Sequence, residues 1–129
     1  MPRLATLALA ALVAVVALTA AMPAAAKSDK EVRRVGSCSG SADWKLELDF
    51  DDGRIEAEFE VDQNRNGERW RVALKRDGHR FFRGVRTTRA PSGSFEVDRK
   101  VRNHAGPDRI KARALNLRTG EVCRAAATI

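Results

Sequence analysis

Tyrosine is absent from this chain of 129 residues, and its other aromatic residues are five phenylalanines and two tryptophans. Proteins that hold single-stranded nucleic acid stack its bases on aromatic rings. Most of the rings here fall on alternating, core-facing positions, so stacking platforms are scarce. Cysteine and histidine are equally sparse, at two each. There is no Cys-x-x-Cys, and two histidines with two paired cysteines make no recognisable zinc set. His79 and His104 fall in a turn and a loop, without a partner for general-base work. Ser92-Gly93-Ser94 lacks the Gly-x-Ser-x-Gly frame of a nucleophile elbow. No catalytic residue is assigned. Helical periodicity with caps is also missing beyond the first 26 residues.

Those first residues carry their own message. Met1-Pro2-Arg3 gives a short positive start, Leu4 to Ala20 is almost wholly apolar, and Ala24-Ala25-Ala26 precedes Lys27. This is the layout of a secretory signal peptide, with cleavage predicted after Ala26. An uncleaved anchor is the other reading of an apolar stretch this long; Pro23 and the small-residue site favour cleavage. No cysteine lies near that site to take a lipid. The expectation is a secreted, extracellular protein with a polar, disordered lead-in over 27–34 and a single domain over 35–129.

A domain this small gains from a covalent staple. In an exported chain two cysteines admit one intramolecular pairing, so Cys38 and Cys123 are predicted to form a structural disulfide.

The formal charge is +7, and its distribution is uneven. Residues 27–62 hold 11 acidic and 6 basic side chains, whereas residues 63–129 hold 6 acidic and 17 basic ones. Such asymmetry points to ion pairing between the halves, to a basic surface for an anionic partner, or to both.

The apolar residues alternate with period two, the mark of strands with one buried and one wet face. Strands are predicted at about 33–39, 43–51, 54–62, 69–76, 79–88, 94–102, 109–117 and 121–128. Asp52-Gly53, Asp77-Gly78 and Thr119-Gly120 read as two-residue hairpin turns. Ala90–Gly93 and Asn103–Pro107 read as longer connections crossing between sheets. The result is an all-β chain, a single antiparallel β-sandwich of seven to eight strands. Its expected centre is a meander from Trp44 to Leu74. The Asp52-Gly53 turn sets Phe50 against Ile55, Leu48 against Ala57, Leu46 against Phe59 and Trp44 against Val61. An Asn66-Gly67 loop then sets Asp62 against Arg69, Glu60 against Arg71 and Glu56 against Lys75, an acid–base ladder. Phe81 and Phe82 are adjacent, so either one ring is exposed or the strand carries a bulge. Arg99 falls in the inward row of Phe95, Val97 and Val101, as an arginine near a sheet edge can.

The segment from Ala105 through Gly106, Asp108 and the alternating Ile110, Ala112 and Ala114 to Thr119-Gly120-Glu121 resembles the closing hairpin of bacterial Ig-like and fibronectin-type sandwiches. The resemblance covers the last 20 to 25 residues. It implies that architecture and no functional residue, since a fold hosts many functions. The tyrosine two residues before a cysteine that marks antibody-type domains is absent.

Three patterns bear on function. Asp62, Asn64 and Asn66, followed by Gly67, match the first half of a calcium loop. The twelfth position is Ala73 rather than glutamate, and Arg65 and Arg69 repel a cation, so ordinary turn chemistry is the better account. The outward carboxylates of the meander could act as an acid/base pair in a small hydrolase, but that chemistry needs a cleft. The basic surface remains: Arg65, Arg69, Arg76, Arg80, Arg83, Arg86 and Arg89, for an anionic cell-envelope polymer or a protein partner. The function expected is non-catalytic binding, with no cofactor.

Overall fold

A computed structural model describes residues 30–129; the predicted signal peptide over 1–26 lies outside them. Eight antiparallel strands make two four-stranded sheets, with no helix among the described residues. The strands are β1 (Val32–Ser37), β2 (Asp43–Asp51), β3 (Arg54–Asp62), β4 (Arg69–Arg76), β5 (His79–Thr87), β6 (Ser94–Arg102), β7 (Arg109–Asn116) and β8 (Val122–Thr128). One sheet runs β1-β2-β3-β6 and the other β5-β4-β7-β8. β1 opens at Val32, so Val32, Arg33 and Arg34, expected in a disordered lead-in, pair with Leu48, Glu47 and Leu46.

The β2–β3 hairpin has the register that apolar alternation demands: Phe50 faces Ile55, Leu48 faces Ala57, Leu46 faces Phe59 and Trp44 faces Val61. A one-residue slip would turn every one of these side chains toward water. Asp52 and Gly53 both take positive φ, as do Asp77 and Gly78 in the β4–β5 turn; that geometry suits the right-handed twist of paired strands.

The third strand of the expected meander is elsewhere. β3 pairs with β6 on its far side, and β4 belongs to the other sheet. The predicted acid–base ladder therefore does not form. Glu60 lies opposite Glu96, Glu58 opposite Asp98 and Glu56 opposite Lys100. The segment from Gln63 to Glu68 is a crossing and not a hairpin loop. Asp62 Oδ1 accepts the Asn64 N–H at 3.0 Å, and Asn64 takes φ +57°. Both preferences belong to turn residues, and here they swing the chain from one sheet to the other. The Ala90–Gly93 and Asn103–Pro107 segments also cross between sheets, as predicted.

The inner rows of both sheets join in one core. Leu46, Leu48, Ile55, Phe59, Val61 and Val97 from the first sheet meet Trp70, Val72, Leu74, Ile110 and Ala114 from the second. Trp70 donates its indole N–H to Gln63 Oε1 at 3.0 Å, which satisfies the one polar atom that this large ring buries. The Cys38–Cys123 disulfide forms. It ties the segment between β1 and β2 to β8, and so fastens one sheet to the other.

Candidate functional site

The two outer faces differ sharply in charge, and strand parity explains why. On β4 the even positions Trp70, Val72 and Leu74 are buried, which leaves Arg69, Arg71, Ala73 and Lys75 outside. β7 does the same with Arg109, Lys111 and Arg113, and β8 with Arg124. The pairings set these residues in rows across the sheet. Arg83 lies opposite Ala73, Ala73 opposite Arg113 and Arg113 opposite Arg124. In the next row Arg80 faces Lys75, which faces Lys111. No carboxylate interrupts either row, and none of these cations is ion-paired among the described residues.

A bulge on β5 completes this face. The register shifts between Leu74 and Lys75, so Leu74 pairs with Phe82 and Lys75 with Arg80, leaving Phe81 as the extra residue. Both rings then pack against the core, and Arg80 joins the outer row. Phe81 and Phe82 thus meet the bulged of the two arrangements that their adjacency allows.

The basic face is dished where side chains are short. Ala73, Ala112, Ala125 and Ala126 line a hollow of about 650 Å³, and its other walls are Arg71, Lys75, Arg80, Arg83, Lys111, Arg113 and Arg124. Its volume lies within the roughly 300–1,000 Å³ of small-molecule sites, and its walls hold no aromatic ring. Long guanidinium arms around a floor of alanine can converge on negative charge, and each presents a planar fork of donors. Beside this hollow the row becomes partly apolar: Val85, Arg71, Leu115 and Val122.

The seven arginines expected at this surface divide. Arg69, Arg80 and Arg83 stand on the outer face. Arg65 lies against Glu68 Oε1 at 3.2 Å. Arg76 donates to the Arg102 carbonyl and lies 4.0 Å from Asp108, largely buried. Arg86 stacks on the Phe82 ring at 5.0 Å, and Arg99 from the other sheet stacks on the same ring at 4.7 Å. Those two arginines cap the seam where edge strands β5 and β6 meet; Gly84 makes room, since a Cβ there would lie 3.0 Å from the Phe82 ring. Arg89 is exposed in the β5–β6 connection. Arg71 and Lys75, which the ladder had claimed, belong to the basic face outside those seven, as do the further basic residues Arg109, Lys111 and Arg113, and Arg124 was missed. Its signal was parity: it alternates with Cys123 and Ala125.

The outer face of the first sheet is the opposite in charge. β2 presents Asp43, Glu47, Asp49 and Asp51, β3 Glu56, Glu58, Glu60 and Asp62, and β6 Glu96 and Asp98. Arg33, Lys45, Arg54, Lys100 and Arg102 share that face without balancing it. Lys100 reaches Asp51 at 2.6 Å, and Arg33 and Lys45 reach Glu47 at 3.3 and 3.6 Å. Partial burial, with Asp98 beside it, holds the Glu56 carboxyl above the usual range. Partial burial, with Glu96 and Asp98 nearby, does the same for Glu58. One carboxylate oxygen from each of Glu56, Glu58 and Asp98 lies within 4.8 Å of the others. A hollow of about 150 Å³ opens beside Glu47, Asp49, Glu56 and Glu58.

A buried polar knot, unforeseen from sequence, sits by the β3–β4 crossing. Glu68 accepts two bonds from Arg118 Nε at 2.8 and 3.0 Å. The Arg118 hydrogen bond holds the Glu68 carboxyl below its usual range. Asn116 Oδ1 accepts the N–H groups of Arg118 and Thr119. Its turn makes the β7–β8 connection longer than the two-residue Thr119-Gly120 hairpin expected, since Leu115 pairs with Val122. Glu68 and Asn116 both fall in inward rows, next to Trp70 and Ala114, and a polar residue there was the available signal.

No family model matches the chain, and no curated protein matches it.

Proposed function

We propose that this is an exported, non-catalytic binding module of the cell envelope that holds an anionic polymer on the outer face of the β5-β4-β7-β8 sheet. The observation that carries this is the unpaired row Arg83–Arg113–Arg124 beside the alanine-floored hollow. Cations not neutralised by their own chain stay available to a polyanion and draw it in over a Debye length. The disulfide fits an oxidising compartment, in line with the export expected from residues 1–26.

The architecture belongs to the same proposal: an Ig-like sandwich with one added strand. Leaving out β1, the remaining strands run β2-β3-β6 in one sheet and β5-β4-β7-β8 in the other. Lettered A to G, that differs from the constant-type Ig order in one placement, with the fourth strand beside the third instead of the fifth. The disulfide also joins the two sheets, but from the β1–β2 connection to the last strand and not between the second and sixth strands as in antibody domains.

The hydrolase reading draws on Glu56, Glu58 and Asp98. Their adjoining hollow of about 150 Å³ is about half the smallest usual small-molecule site, so the basic face is preferred. The test is binding to dextran sulfate against neutral dextran over a salt series. Binding to dextran sulfate alone, with affinity falling steeply as salt rises, is expected. Arg83→Gln with Arg113→Gln should weaken it, and Arg89→Gln should not. Affinity unchanged between low and high salt would reject the proposal.

A further inference from the structure

The two outer faces lie on opposite sides of the shared core; the basic one carries cations that its own sheet leaves unpaired among the described residues, and the acidic one keeps an excess of carboxylates beyond its own ion pairs. Across the middle of the first sheet Glu47, Glu58 and Asp98 stand in one row; Arg33 ends that row beside Glu47, so the like charge left over is that of Glu58 and Asp98. Across the middle of the second stand Arg83, Ala73, Arg113 and Arg124, the last two directly opposite each other. Like charges directly opposite on neighbouring strands destabilise a sheet, so both rows gain from an opposite surface laid over them. The surface of matching width and opposite sign present in every preparation of this protein is the other face of a second copy. From these complementary rows we infer that the chain associates head to tail, the acidic β1-β2-β3-β6 face of one molecule resting on the basic β5-β4-β7-β8 face of the next.

Two consequences follow from the geometry. The contact joins different faces, so it is heterologous and leaves one acidic and one basic face free at the ends of every assembly. Growth continues past the dimer unless the rotation closes a ring. The contact is also weak. Four strands about 4.8 Å apart, each about eight residues at about 3.3 Å, give a face of roughly 500 Å². A pair then buries about 1,000 Å², the lower bound for specific interfaces. Because charge supplies the attraction, salt dissolves the assembly, whereas association through apolar surface would hold or strengthen. An anionic polymer on the basic face competes with the neighbouring molecule.

The test is sedimentation of the full chain over a concentration series, with two neutralised variants. One carries Glu56→Gln, Glu58→Gln and Asp98→Asn; the other carries Arg83→Gln, Arg113→Gln and Arg124→Gln. Wild type should show a mean mass more than twice the monomer at low salt and monomer at about 1 M salt, where the Debye length is about 3 Å. Each variant alone should be monomeric, and circular dichroism shows that each is folded. Their equimolar mixture should give a one-to-one dimer and nothing larger, since each keeps one working face. Wild type that is monomeric at low salt at every concentration overturns the inference, as does wild-type assembly that persists at high salt. If a basic-face variant fails to fold, unchanged assembly of the acidic-face variant is the overturning result. Dextran sulfate binding by the acidic-face variant separates the two ideas: it should equal or exceed that of wild type even if self-association is refuted.

Discussion

Gly93 shows how little room single residues have at the crossings. It takes φ +67°, and a Cβ there would lie 2.2 Å from the Arg65 backbone nitrogen, against main chain that cannot swing aside. The Gln63 N–H also bonds the Gly93 carbonyl at 3.1 Å. Gly93→Ala should cost about 2–3 kcal/mol through strain and forced separation of the two connections, read as a lowered urea midpoint with the slope unchanged. Arg76 and Asp108 present a different risk. Asp108 is 1% exposed, and neither of its carboxylate oxygens has a hydrogen-bond partner among the described residues. Arg76, 4.0 Å away, supplies the only ion pair of that carboxylate among them. Arg76→Ala should therefore destabilise by about 3–5 kcal/mol, because it strands a buried charge. The double variant Arg76→Leu/Asp108→Leu should recover much of that loss in the same denaturation experiment.

At the scale of elements, edges and connections matter most. β1, β6, β5 and β8 are the four sheet edges, and arginines in the inward rows of three of them, Arg34, Arg99 and Arg86, point charge where a further strand would dock. β8 is instead held by the Cys38–Cys123 bond. That bond closes a loop of sequence separation 85. In the chain-entropy model, Cys38→Ser with Cys123→Ser should lower stability by about 4–5 kcal/mol. Calorimetry of the oxidised and reduced wild type should show the same gap. A reduced protein as stable as the oxidised one would mean that core packing alone holds the two sheets together.

For the whole molecule, the separation of charge predicts two opposite responses to pH. Glu68 titrates below its ordinary value, chiefly through its Arg118 hydrogen bond. Its contribution is present above the unfolded carboxylate pKa and is lost as pH falls through the folded one. Glu58 titrates above its ordinary value, through partial burial and then through Glu96 and Asp98. Its folded form favours the proton, so its contribution is present below the unfolded pKa and is lost as pH rises through the folded one. Glu68→Gln should thus destabilise at pH 7, with the deficit shrinking toward pH 3. Glu58→Gln should stabilise at pH 7 by up to about 1 kcal/mol through relief of cross-strand repulsion, with the gain vanishing toward pH 3. Denaturant titrations of both variants at the two pH values check the signs.

By itself the sequence determined the strands, the two Asp-Gly turns, the disulfide and most of the residues that face inward. Each is a local matter: period-two alternation fixes a face, Asp-Gly fixes a turn, and two cysteines leave one pairing. The boundaries of β2, β3, β4 and β6 follow from that arithmetic alone. Which strand lies beside which was decided only in three dimensions. β4 and β6 both offer β3 an alternating inward row, β6 with Arg99 in it, so alternation did not single out β6, and complementary charge favoured the wrong strand. Close packing of both sheets on one core carried β4 across, setting Glu58 beside Asp98 and Lys75 beside Lys111. Tertiary structure thereby turned an expected neutral ladder into one acidic and one basic face, because burying apolar rows outweighs the small gain from exposed ion pairs.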